Sequence, residues 1–218
     1  MSDIPLPQSE NDPVLSRIEV LVADITTLNV DVIVNAANES LLGGSGVDGA
    51  IHNAAGPELL EHNKTLDGCK TGLAVITPSF NLASRSIKHI IHTVGPIWRE
   101  VTDNPLPGQP NVNAKIGYTL EDTLLASCYM QALTLTTNHK LETIAFPSIA
   151  TGVYNFPKPR AAKIAFGHIF GYLSNYAPNP ETDFPKKVTI CCFSQADADL
   201  YIQTIATKDD WMFNRGRI

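Results

Sequence analysis

The sequence predicts an α/β chain folded as a three-layer α/β/α sandwich around a mixed, mostly parallel central sheet. Strand-like and helix-like stretches alternate along it, the pattern that places helices on both faces of a parallel sheet. The run at residues 32–36 is nearly all apolar, as expected of a strand covered on both faces. Its 218 residues, 44% hydrophobic and 17% charged, suit one well-filled core.

Residues 1–16 are polar, carry Pro5, Pro7 and Pro13, and read as an extended or disordered tail ahead of a single domain over 17–218. Ile18–Val22 reads as the first strand and 32–36 as the second, with a helix over about 47–62. Strands follow at 73–78 and 87–94. Residues 99–117, rich in Pro, Asn and Gly, read as a long surface loop. From Thr119 helical spacing returns: Leu120, Leu124, Cys128 and Ala132 recur every fourth position, beside Leu125, Tyr129 and Leu133. Thr143–Phe146 is a short strand closed by Pro147. Ala162, Phe166, Ile169 and Leu173 share one face of a helix that Pro159 opens. A second Pro/Asn-rich loop at 174–187 leads to a strand at 188–193. Ser194, three positions before Asp197, then caps a last helix running to about Thr207.

Composition narrows the function classes. No apolar run approaches the ~20 residues of a membrane span, and the N-terminus lacks a secretory pattern. A cytosolic (cytoplasmic) or nuclear protein is expected, with no membrane partner and a monomeric state. Cys69, Cys128, Cys191 and Cys192 lack metal-ligand spacing and read as reduced thiols, the last two pointing to opposite sheet faces. No metal and no cofactor is expected. The net charge of -6 argues against a nucleic-acid partner. An anionic ligand would therefore be held by backbone N–H groups rather than by a lysine cluster.

Ligands of open α/β sheets sit beyond the carboxyl ends of strands, which directs attention to two loops. The first runs from Asn35-Ala36-Ala37-Asn38 into Leu42-Gly43-Gly44-Ser45-Gly46-Val47-Asp48-Gly49-Ala50-Ile51-His52. Its glycines open the backbone to a ligand, and the helix that follows adds free N–H donors, which together make a phosphate cradle. The spacing is neither a nucleotide-triphosphatase loop nor a dinucleotide fingerprint. The second is Pro147-Ser148-Ile149-Ala150-Thr151-Gly152-Val153-Tyr154-Asn155-Phe156-Pro157, where Thr151 and the amides around Gly152 can meet a second phosphate face. Read blandly, each is a structural turn, with Tyr154 and Phe156 as core.

Together the loops resemble the macrodomain family, in particular its MacroD-type branch of ADP-ribosyl hydrolases. The matching pieces are Asn-Ala-Ala-Asn at 35–38, the 43–52 stretch, Ala54-Ala55-Gly56-Pro57, His92-Thr93-Val94-Gly95-Pro96 and Thr151-Gly152-Val153-Tyr154, with Ala23-Asp24-Ile25-Thr26 similar to an early family motif. The likeness runs from about Ile18 to Ile205. It implies that Asp24 accepts the adenine amine, that Ile25 contacts the ring and that Phe193 packs on it. It further implies that the backbone of Gly44, Ser45, Gly46 and Val47 cradles one side of a diphosphate. Ser148, Thr151, Gly152, Val153 and Tyr154 would cradle the other. Asn38 and Asp48 would face the distal ribose, as catalytic residues. This chain departs from the family pattern at Ser45, Asn155 and Ala23.

The chemistry expected there is attack of water on a linkage at the distal ribose. Asp48, opening a helix whose dipole favours its ionised form, would orient or deprotonate the water. Asn38 would hold the sugar through its amide. With one carboxylate evident, the paired-carboxylate scheme of glycosidases fits poorly. An ester to an acidic side chain or to acetate fits better, so the substrates expected are ADP-ribosylated proteins or O-acetyl-ADP-ribose. His52 and His92 read as structural. The rival reading is a non-catalytic ADP-ribose reader.

Overall fold

The computed structural model describes residues 12–99 and 119–212. Six strands form one sheet: β1 (Ile18–Val22), β2 (Val32–Ala37), β3 (Ala74–Pro78), β4 (His89–Val94), β5 (Thr143–Phe146) and β6 (Lys187–Cys192). Their order is β1-β6-β5-β2-β4-β3, parallel throughout except where β3 pairs antiparallel with β4. The helices are α1 (Gly46–Ala55), α2 (Pro57–Asn63), α3 (Leu120–Asn138), α4 (Lys158–Asn175), α5 (Gln195–Ala206) and α6 (Lys208–Met212).

Alternation along the strands feeds two cores. Ile33, Ile90, Ala145 and Cys191 point to the side covered by α1 and α2, and pack with Ile51, Ala55 and Leu59. Val32, Val34, Ile91, Ile144, Phe146, Val188, Ile190 and Cys192 point to the side of α3, α4 and α5, with Leu125, Tyr129, Phe166 and Tyr201. The sheet is thus covered on both faces, which is why β2 is so apolar. Cys191 and Cys192 lie on opposite faces as expected, both buried and unpaired.

The structure corrects the sequence reading in several places. The helix expected over 47–62 is two helices, α1 and α2, broken at Gly56, whose φ of 88° lies in the left-handed region. Pro57 at the first position of α2 cannot continue α1 but opens a new helix without loss. At the end of the expected 1–16 tail, Leu15 is fully buried, and Arg17, the first residue of the expected domain, donates to the carbonyls of Ala177, Pro185 and Lys186. Strand β6 ends at Cys192, leaving Phe193 beyond it, and α6 adds a helix the periodicity does not announce. The loop expected over 99–117 falls, but for Arg99, outside the described residues. No helix among the described residues is long and apolar enough to cross a membrane.

Candidate ligand cleft and catalytic constellation

Because β1, β6, β5, β2 and β4 run parallel, their carboxyl ends lie along one edge of the sheet, in that order. Asp24 and Phe193 follow β1 and β6. The 147–156 loop follows β5, the 38–45 loop follows β2 and Gly95 follows β4. Three strand spacings separate β1 from β2, roughly 14 Å. The segments that hold the sequence-predicted residues therefore follow one another along this edge of the sheet.

The β2 loop is shaped by backbone. Gly43 and Gly46 adopt φ of 91° and 63°, whereas Ser45 sits at φ −105° and accepts its Cβ without strain. Ser45 caps α1 with no side-chain hydrogen bond, and Gly44, Ser45 and Gly46 are all exposed, while Val47 is half-buried. Gly44 is the tight position. A Cβ there would stand 2.9 Å from Asp48 Oδ2 and 3.5 Å from Asn38 Nδ2, so Gly44, Asn38 and Asp48 converge on one point.

Asn38 holds the loop together. Its Nδ2 donates to the Gly43 carbonyl at 2.9 Å, and its Oδ1 accepts from Ser40 N (3.0 Å) and Ser40 Oγ (2.6 Å). One amide hydrogen remains for a ligand.

Asp48, on the first turn of α1, is 4% exposed. Its Oδ1 accepts from Asn35 Nδ2 at 2.7 Å, and His52 Nε2 lies 3.5 Å away without hydrogen-bond geometry. Burial raises the Asp48 pKa; the Asn35 hydrogen bond and the His52 ring pull it back only in part. The helix-dipole expectation of a favoured carboxylate is thereby outweighed. The result is a carboxylate primed to take a proton.

The β5 loop faces this group. Burial first, then the carboxylates of Glu39 and Asp48, raise the pKa of the Tyr154 phenol. Thr151 Oγ1 donates to the Ser148 carbonyl at 2.9 Å, and Asn155 and Phe156 close the turn onto Gly152 and Ala150. Ala150 and Asn155 adopt φ of 64° and 54°; asparagine tolerates this, so a residue other than glycine serves there. Gly152 and Val153 project into solvent, Val153 being 77% exposed.

At the far end, Asp24 Oδ1 accepts from Thr26 N (2.9 Å) and Thr26 Oγ1 (2.8 Å). Phe193 is 96% exposed, an open aromatic face beside Asp24. Ile25 is buried among the residues packed under α1, which gives it a core role first. Among the described residues no group of three or more His, Cys, Asp or Glu side chains is placed to hold a metal ion.

Sequence reasoning missed several supports. A Cβ on Gly95 would meet Ala150 Cβ and Ile149 Cγ2 at 2.9 Å, so Gly95 lets the β5 loop approach β4. Trp98 N donates to the Tyr154 carbonyl at 2.8 Å, and the Trp98 ring lies against Phe156 and beneath Arg160. Asn35 and His92 were visible in the motifs, but their joint action across two strands was not.

The Macro domain model matches residues 34–165. A Macro domain-containing protein of Ralstonia nicotianae is 48% identical over 184 residues, 84% of this chain and 91% of that protein. An O-acetyl-ADP-ribose deacetylase of Escherichia fergusonii is 43% identical over 89% of this chain and 98% of its own length. A variant of the Oceanobacillus iheyensis macrodomain, solved with ADPR, superposes with a TM-score of 0.72 at 40% identity, covering 88% of this chain and 94% of that one.

Proposed function

This chain belongs to the Macro domain family, and on that premise we propose that it is a hydrolase that binds ADP-ribose along the strand-end crevice and cleaves an ester at the distal ribose. The observation that carries the reading is Asp48: a nearly buried carboxylate, with its pKa raised, at the convergence of Gly44 and Asn38. A passive binding surface has no need of such a group.

Adenine lies at Asp24 and on Phe193. The diphosphate lies between the backbone of Gly44, Ser45, Gly46 and Val47 and that of Ser148, Thr151, Gly152, Val153 and Tyr154, so anion recognition falls to backbone donors. The distal ribose then meets the remaining Asn38 amide hydrogen and Asp48. Asp48 removes a proton from water as it attacks the ester. The water oxygen bonds to the acyl carbon, the bond from that carbon to the ribose oxygen breaks, the carboxylic acid leaves, and the ribose oxygen takes up the proton from Asp48 to become a hydroxyl. The name of the Escherichia fergusonii relative points to O-acetyl-ADP-ribose as one substrate. Mono-ADP-ribose esterified to acidic protein side chains presents the same bond.

Both substrates are offered to the protein at equal concentration, and release of acetate and of ADP-ribose is followed beside calorimetric binding of free ADP-ribose. Turnover of at least one supports the reading. Tight binding with release from neither makes the protein a reader and removes Asp48 from chemistry.

A further inference from the structure

A line of buried polar side chains crosses three strands beneath α1. Asn35 on β2, His92 on β4 and Thr77 on β3 are each 2% exposed or less, among otherwise apolar neighbours. Asn35 and His92 are register partners, as are Thr77 and Ile90 two residues before His92, so all three face α1. Asn35 Nδ2 lies 3.0 Å from His92 Nδ1, and Thr77 Oγ1 lies 3.1 Å from His92 Nε2. Such groups are tolerated in a core only when their donors and acceptors match.

The direction of this line follows from counting hydrogens. Thr77 has one hydroxyl hydrogen, and its Oγ1 lies 3.1 Å from the Pro78 carbonyl, 3.5 Å from the Ile90 carbonyl and 3.1 Å from His92 Nε2. The Asn35 nitrogen that donates to Asp48 Oδ1 also faces His92 Nδ1, so Nδ1 accepts there, the ring hydrogen sits on Nε2, and Thr77 accepts from it while giving its own hydrogen to a carbonyl. The Nδ1 lone pair thus takes one hydrogen of the Asn35 amide. The second hydrogen of the same NH₂ group then points at Asp48 Oδ1, 2.7 Å away. In this orientation Asn35 Oδ1 is buried without a hydrogen-bond partner among the described residues, a cost that the two contacts of Nδ2 offset. Turned over, the amide would set its oxygen against His92 Nδ1 and the Asp48 carboxylate, an arrangement suited only to protonated Asp48.

We propose that His92, held by Thr77 in its neutral Nε2–H form, is a positioning residue that fixes the Asn35 amide and thereby keeps Asp48 ready as a base. The inference rests on Asp48 being the base of the proposed hydrolase. Burial first, then the rings of His52 and His62, push the His92 pKa down to about 3, so it stays neutral through the working range. The titratable groups facing the line are His52 on α1, His62 on α2 and, from the β5 loop, Tyr154.

The test uses Thr77→Val, which keeps the shape and removes the acceptor, with Thr77→Ser as the conservative control. Nitrogen NMR of the histidine rings in unliganded protein reads the tautomer directly, and pH profiles of kcat/KM read Asp48. The wild type is expected to show His92 as Nε2–H, neutral well below pH 6. In Thr77→Val the amide is free to turn and the Asp48 carboxylate loses a donor. Its pKa rises, and the acid limb moves upward by about one pH unit. ADP-ribose affinity stays within about twofold of wild type, and Thr77→Ser restores the limb. A purely structural Thr77 would lower the melting temperature and leave the limb in place. An unmoved limb in folded Thr77→Val overturns the proposal, as does a wild-type His92 carrying its hydrogen on Nδ1. Should Thr77→Val not fold, the tautomer in wild type and in Thr77→Ser decides. A wild type inactive on every ester overturns the hydrolase reading instead, and the tautomer still decides whether the line is polarised as described.

Discussion

At Asp48 two demands oppose each other. Burial raises its pKa above the unfolded value, so the protonated form is the one folding favours. Its contribution to stability is therefore present below the unfolded pKa and is lost as pH rises through the folded pKa. At neutral pH the ionised carboxylate, which the chemistry needs, works against the fold. Asp48→Asn keeps the acceptor for Asn35 and removes the charge. It is expected to raise the melting temperature by roughly 2–4 °C at neutral pH, as ~1 kcal/mol does in a domain of this size. Thermal scans at two pH values check this, and the gain should shrink at acid pH. The closeness of Asp48, Asn38 and Gly44 was legible because they lie within one contiguous stretch. That of Thr77 and His92 was not, because their partnership with Asn35 depends on which strands become neighbours. The Asn38 side chain shows the limit from the other side: sequence placed it at the sugar, and the structure shows most of its hydrogen bonding spent on the loop itself.

Among the elements, α3 and α4 show how structure remote from the chemistry supports the crevice. Thr119 and Asp122 form a reciprocal cap at the start of α3, and the fully buried Asp122 carboxylate is bound by Arg160 of α4. Arg160 stacks over Trp98, whose backbone N–H holds the Tyr154 carbonyl. Burial pushes the Asp122 pKa up, but the Arg160 and Thr119 hydrogen bonds more than offset it, and the net shift is downward. Its stabilisation is then present above the unfolded pKa and lost as pH falls through the folded one. Asp122→Ala is expected to cost about 2–3 kcal/mol at neutral pH, through the lost cap and the buried pair, with a smaller penalty in acid. Denaturant titrations at neutral and acid pH measure both. The type and order of these elements could be read from periodicity and capping residues. The split of α1 from α2 was missed, because apolar spacing continues past Gly56 and Pro57, whereas the backbone does not.

On the scale of the whole molecule, the strand order lays the recognition groups along one edge, with backbone amides rather than cations as the expected anion holders. A chain of net charge -6 offers little long-range attraction to a diphosphate. Affinity for ADP-ribose should therefore change by less than about threefold between 0.05 and 0.5 M salt, far below the response of a site built from lysines. Calorimetry across that range tests it. That the loops after β2 and β5 lie at the same edge of the sheet was inferable from strand polarity. Their adjacency was not, since β2 and β5 are far apart in sequence and the β2–β5 pairing had to be seen.

The most direct measurement is single-turnover release of acetate from O-acetyl-ADP-ribose by wild type and Asp48→Asn, with the Kd of free ADP-ribose measured on both. The prediction is a rate loss of about a hundredfold or more in the variant at a Kd within about threefold of wild type. A variant that turns over as fast as wild type, or a wild type that binds and releases nothing, would contradict it.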